Sequence, residues 1–268
     1  MKFRFSRKML CIPYAVFLIF FVIIPMLIII LYAFTDKQMH LSFSNFVQFF
    51  SDPTKLSTIV YSLVIALVTT VIALVIAYPI AYILARSRLK KKFVILMLFV
   101  LPMWINFVLR VNALREIFNL VSQASSMEWL TSANYFKTVF GMVYDCLPFM
   151  ILPLYTTIMK IDNSLYEASA DLGGNAFTSF TRVTLPLSMP GIMSGVTLVF
   201  LPSMTNYVVS DMLGNAKVTI IGKFIYEYFG TDWHMGSMVA LVLLVVVFLS
   251  TWLSGGFTSE DNVRGANL

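Results

Sequence analysis

The chain has 268 residues, of which 59% are hydrophobic and only 12% charged, and its mean hydropathy is +0.85. That leaves too little polar surface to cover a soluble globule of this length, so the composition places the chain in a bilayer. The formal charge of +6 does not argue for nucleic acid, because most of the excess Lys and Arg sits beside apolar segments, where anionic lipid headgroups account for it.

Crossing about 30 Å of hydrocarbon at about 1.5 Å per residue takes roughly 20 apolar residues. Six segments approach that length: Met9–Phe34, Ile59–Ala85, Phe93–Leu109, Val139–Met159, Met189–Val209 and Met235–Leu253. Their apolar runs are continuous, which argues against barrel strands and for an all-α integral membrane protein with six spans. The first resembles a signal peptide only superficially; with about 25 apolar residues and no small-x-small cleavage site, it reads as an uncleaved helix. The third is the shortest and is expected to run past Arg110 toward Val121. The fifth carries Pro190 and Gly191 at its start and Pro202 inside.

Lys2, Arg4, Arg7 and Lys8, then Arg86, Arg88, Lys90, Lys91 and Lys92, then Lys160 and Arg182 fall on one side by helix count. The positive-inside bias makes that side the cytoplasm, with both termini inside a bacterial plasma membrane. We divide the chain into residues 1–58 (first span and first outer loop), 59–254 (permeation core with the inner loop 160–187) and 255–268, a polar, Gly-rich tail expected to be mobile.

Little catalytic chemistry is encoded. Cys11 and Cys146 lie in apolar segments, and His40 and His234 are far apart, so no metal-ligand spacing exists. There is no G-x-S-x-G elbow, no H-E-x-x-H pair and no phosphate loop. The chain is therefore expected not to be an enzyme and to bind no cofactor of its own. If ATP drives it, another subunit must supply the ATPase.

The inner loop is the polar exception. Ser164, followed three residues later by Glu167, fits a capping box opening a helix over Leu165–Leu172. Leu165, Ala168, Ser169 and Leu172 then share one small, mildly apolar face. Gly173-Gly174 stops the helix. Asn175 caps a second short helix through Phe177, Phe180 and Val183 that ends near Leu185-Pro186. Such a pair makes a knob standing off the membrane; an interfacial helix pair lying on lipid is the alternative.

The pattern Glu167-Ala168-Ser169, three residues, Gly173, nine residues, Val183, one residue, Leu185-Pro186 resembles the EAA loop of bacterial ABC-importer permeases, with Ser169 for the second alanine and Val183 for the usual isoleucine. The resemblance implies a type I (MetI-like) importer fold and a coupling helix that docks into a cytoplasmic ATPase dimer, which would carry ATP and Mg. It assigns polar contacts to Glu167, close approach to Ala168 and Ser169 and the turn to Gly173, and it places Asp171, Leu185 and Pro186 among the ATPase-coupling residues. It also implies a second, homologous permease subunit and an extracytoplasmic binding protein, for which the outer loops Thr35–Thr58 and Gly214–Trp233 are candidate contacts. Blocks such as Ala77-Tyr78-Pro79-Ile80-Ala81, Leu101-Pro102-Met103-Trp104, Leu147-Pro148-Phe149-Met150 and Val209-Ser210-Asp211 are similar to the B-type permeases of spermidine/putrescine importers. Permeases for iron, thiamine, sulfate and phosphonate share the coupling loop.

A polycation crossing hydrocarbon needs acidic groups and aromatic faces. Asp211 with Tyr207 one turn before it, Asp145 and Trp104 are the candidates for the pathway. Each has a plainer reading: Asp211 can cap a helix or pair with Lys217, Asp145 can pair with Lys137 or Arg110, and Trp104 suits an interfacial belt. A self-sufficient channel or secondary transporter would also use intramembrane acids and broken helices, and dependence on a co-purifying ATPase separates it from the importer.

Overall fold

The computed structural model describes residues 11–87, 89–124, 132–215 and 217–255; Lys2, Arg4, Arg7, Lys8, Arg88 and the tail from residue 256 lie outside the described residues. Among the described residues the secondary structure is helical, apart from one isolated bridge between Thr35 and Leu41. Five helices are long and apolar enough to cross a membrane, and a bent pair makes a sixth if it counts as one crossing.

The chain forms two units. One lies within Met1–Ser57 and Lys223–Val247. It holds α1 (Ile12–Ala33), whose most apolar window has no buried residue, so its side chains are left to lipid or to another subunit. A π turn over Ile19–Ile23 widens α1 just ahead of Pro25, easing the clash between a proline ring and the preceding turn. Two short helices follow in regions expected as outer loops: α2 (Ser44–Phe50) in the first and most of α10 (Ile221–Thr231) in the last. The residues from Trp233 to Val247 of α11 (Trp233–Gly255) complete this unit. Its outer segments are pinned by polar contacts. Lys37 Nζ meets the Asp232 carboxylate at 3.1 Å, and His234 Nδ1 lies 3.1 Å from Thr35 Oγ1. The Asp36 carboxylate accepts from the His40 and Gln38 backbone N–H groups, which hold its carboxyl below the usual range.

The second unit, Thr58–Gly222 with Phe248 onward, carries the core. It contains α3 (Pro53–Arg86) from Thr58, α4 (Lys92–Val100) with a 3-10 turn over Leu101–Trp104, α5 (Phe107–Ala124), α6 (Asn134–Met159), α7 (Asn163–Asp171), α8 (Ala176–Thr205) and α9 (Tyr207–Leu213). The α6/α8 pair makes the most extensive contact. Gly191 and Gly195, four apart on α8, allow it: a Cβ on Gly191 would stand 2.7 Å from Thr157 Oγ1, and one on Gly195 would stand 2.6 Å from Met150 Sδ. Small residues on one face of α3, including Ala66, Thr69, Ala73, Ala77 and Ala81, are buried; Ala73, Ala77 and Ala81 share a core cluster with Met150, Ile151 and Leu154 of α6, and Thr69 Oγ1 lies 4.0 Å from Met142 Sδ.

Two spans depart from expectation. The third does run past Arg110, to Ala124, but it is broken before that residue: Ile105 is extended, and α4 with its 3-10 turn meets α5 at 94°. Asn106 enforces the restart, its Oδ1 accepting from Val108 N at 3.0 Å and Leu109 N at 3.3 Å as an N-cap. The fifth ends at Thr205 rather than Val209, because Asn206 turns out of helical geometry before α9 begins.

Candidate functional site

The inner loop folds as two helical arms around Gly173. The first arm, α7, is capped by Asp162, whose side chain accepts from Ser164 N at 2.9 Å; the expected Ser164–Glu167 capping box is not what opens it. An aspartate offers a full charge to the positive end of the helix, so it outcompetes a serine two positions inside. The Ser164 N–H holds the Asp162 carboxyl below the usual range. At the other end Gly173 takes φ +79°, and Gly174 N donates to Ser169 O at 2.8 Å while Gly173 N donates to Ala170 O at 2.9 Å. This is the paired closure of a Schellman motif, and it satisfies carbonyls that the helix end would leave open.

The second arm starts where expected. The Asn175 side chain accepts from Thr178 N at 2.8 Å. It does not end at Leu185-Pro186, however: a π turn over Phe180–Thr184 carries the helix straight into α8, so Ala176–Thr205 is one span of 30 residues. As in α1, the π turn stands just ahead of a proline, here Pro186. Leu185 and Pro186 therefore lie in the body of α8, not on the tip of the knob.

Between the arms, Ser169 Oγ lies 2.8 Å from Ser179 Oγ, so the residue standing for the motif's second alanine ties the knob together. Glu167, Ala168, Asp171 and Gly173 are exposed. So are Leu172 (90%), Phe177 (73%) and Leu165 (43%), which make an apolar tip on a polar loop. Of the expected helix face, Ser169 alone turns inward.

One set of contacts has no signature in the sequence. The Arg86 guanidinium at the end of α3 stacks 3.7 Å from the centre of the Tyr166 ring on α7, and the Tyr166 hydroxyl lies 3.0 Å from Thr184 Oγ1. Beside them opens a groove of about 890 Å³ lined by Arg86, Lys92, Lys160, Asp162, Tyr166 and Glu167 among others. Lys92 donates to the Ala85 carbonyl at 2.9 Å, closing the C-terminal end of α3 with a cation.

The four pathway candidates all belong to the second unit. Asp145 on α6 accepts from Arg110 Nη2 on α5 at 2.7 Å, with the two side chains 15% and 9% exposed. Arg110 Nε has no hydrogen-bond partner among the described residues. Tyr207 opens α9 and is half-buried, and Asp211, one turn later, is exposed. Helix α9 packs on α5 and α6, closely enough at Gly141 that a Cβ there would stand 3.1 Å from Val209 Cγ1. Trp104, at the 94° break, is 89% exposed.

A broken-helix membrane core with a stiff helical knob defines a transporter component, and the comparisons with known proteins agree. Residues 77–257 match the family described as binding-protein-dependent transport system inner membrane component, and the chain belongs to that family. Among curated relatives it is 36% identical over 249 residues to the spermidine/putrescine transport system permease protein PotB of Haemophilus influenzae, covering 87% of each chain. To the protein of that name from Escherichia coli it is 34% identical over 249 residues, covering 87% of this chain and 90% of the relative. Among solved structures, a bacterial ABC transporter involved in import of the acidic polysaccharide alginate matches with a TM-score of 0.70 at 19% identity, over 94% of this chain and 96% of that one. A bacterial alginate ABC transporter in complex with a pentasaccharide-bound periplasmic protein matches with a TM-score of 0.75 at 17% identity, over 95% and 94%. These two structures establish the importer permease fold.

Proposed function

We propose that the chain is one permease subunit of an ATP-driven polyamine importer, working with a second permease, a cytoplasmic ATPase dimer and an extracytoplasmic binding protein. The observation that carries the cargo is the similarity, over 87% of the chain, to permeases named for spermidine and putrescine. The coupling reading draws support from the knob: a short helix closed at both ends moves as a rigid body, and its exposed Leu165, Ala168, Leu172 and Phe177 with Glu167 and Asp171 offer an apolar tip with acidic flanks. ATP and Mg belong to the ATPase, and this chain binds no cofactor and performs no chemistry. The lysine-rich connection before α4 and Lys160 after α6 support a cytoplasmic knob and cytoplasmic termini.

On this reading ATPase closure pushes α7, and the membrane core changes the side to which its pathway opens. Asp211 and Tyr207, on one face of α9, are the leading cargo contacts, and Trp104 offers a further aromatic face at the break of the third span. Asp145 is engaged by Arg110 at 2.7 Å.

The test is uptake of radiolabelled spermidine by proteoliposomes holding the complete complex, with and without ATP on the ATPase side. ATP-dependent uptake that excess unlabelled putrescine reduces and sulfate does not is the expected result. Uptake independent of this chain would refute the assignment. Asp211→Asn should lower uptake at unchanged complex yield, and normal uptake by that variant would remove Asp211 from the pathway.

A further inference from the structure

We propose that Tyr166 is the joint through which movement of the coupling knob reaches the membrane helices, a role that rests on the coupling reading above. Tyr166 stands just before the motif residues and is one of the few knob residues that is half-buried. Its two ends do different work. The ring face receives the Arg86 guanidinium at 3.7 Å, which fixes α7 to the cytoplasmic end of α3. The hydroxyl meets Thr184 Oγ1 at 3.0 Å, which fixes α7 to the last residue of the π turn in α8.

Each contact is hard to replace. Thr184 is fully buried, so its hydroxyl has no water to fall back on if the tyrosine oxygen withdraws. The stack requires a planar cation: a lysine in place of Arg86 would keep the charge and lose the flat guanidinium that lies over the ring. Thr184 also closes the π turn of α8, where the pairing shifts by one residue and Leu185 N reaches back to Phe180 O. A displacement of α7 therefore pulls on the end of α3 and on the π turn of α8 together. Ser169 and Ser179 keep the knob's two arms from yielding first.

The experiment uses the complete complex in proteoliposomes, measuring spermidine uptake and ATP hydrolysis on the same sample so that the readout is spermidine moved per ATP. Tyr166→Phe keeps the ring on Arg86 and removes the hydroxyl; Thr184→Val removes its partner at nearly constant volume; Arg86→Lys removes the stack; Tyr166→Leu removes both contacts. With complex yield and hydrolysis near wild type, the ratio should fall about fivefold on loss of the single hydrogen bond and further in Tyr166→Leu. Tyr166→Phe combined with Thr184→Val should fall no further than either alone. An unchanged ratio in Tyr166→Leu overturns the proposal, as does a parallel loss of uptake, hydrolysis and yield in the mild Tyr166→Phe, which would mark a role in folding alone. The coupling reading fails separately: a Glu167→Lys complex with full ATP-dependent uptake would overturn it whatever Tyr166 does.

Discussion

Removing the Asp145 carboxylate tests how the core of the second unit is held. Arg110 and Asp145 are 9% and 15% exposed and 2.7 Å apart, and Arg110 Nε lacks a partner among the described residues. In Asp145→Ala the Arg110 guanidinium would lose both its counter-charge and its acceptor. Breaking a buried pair from one side costs about 3–5 kcal/mol, and we take about 3 because other polar groups within a membrane protein offer partial replacements. Replacing both members together, Arg110→Met with Asp145→Leu, should be nearly neutral by the same reasoning. Heating the purified complex in detergent and measuring how much of this chain stays soluble gives the midpoint. At about 2–4 °C per kcal/mol the single variant should lose about 6–12 °C and the double variant should recover most of it. If Asp145→Ala keeps its midpoint while uptake disappears, the carboxylate serves the cargo rather than Arg110, and the reasoning is wrong.

Other changes have equally definite outcomes. A Cβ on Gly173 would meet nothing within 4 Å, so only its φ of +79° resists substitution. Gly173→Asn should therefore keep most transport, whereas Gly173→Pro, with φ locked near about −65°, should abolish uptake while the chain still reaches the membrane. Gly191→Leu would push into Thr157 and the Pro153 carbonyl, 2.7 to 2.9 Å from the new Cβ. Overpacking of that kind costs about 1–3 kcal/mol and should lower the membrane level of the chain on immunoblots. Burial tends to raise the Asp232 carboxyl, but the Lys37 ammonium and the Met235 and His234 N–H groups outweigh it and hold it below its ordinary 3.8. Its stabilisation is thus complete above that value and is lost as pH falls through the depressed one. The protection of the Thr35–Leu41 amides, taken relative to their intrinsic exchange rates at each pH, should drop only in that acid range, and Asp232→Asn should lower it at neutral pH.

The spans are legible in the sequence because about 20 continuous apolar residues, in a chain of this composition, suit little besides a bilayer crossing. Their ends are less so. The segment Pro53–Thr58 is polar by composition yet helical, because Asp52 accepts from Thr54 N at 2.9 Å and Pro53 suits the first turn. Asn106 before an apolar run and Asp162 before Ser164 are readable N-caps, and each outweighs the pattern around it. The four-residue spacing of Gly191 and Gly195 is likewise a visible sign of a close helix contact. Arg86–Tyr166 and Tyr166–Thr184 are not legible, since no local rule links a residue to a partner 80 positions away or to a buried hydroxyl in another helix. The knob's turn at Gly173 is legible, because a left-handed closure favours glycine wherever the knob docks.

The break at Ile105-Asn106 also limits how far this span can reach. From the lysines at the start of α4, nine helical residues and four of 3-10 turn cover about 21 Å, short of the roughly 30 Å of hydrocarbon. Backbone that leaves helical pairing inside that thickness cannot be solvated by acyl chains, so Ile105 and Asn106 call for protein or water beside them.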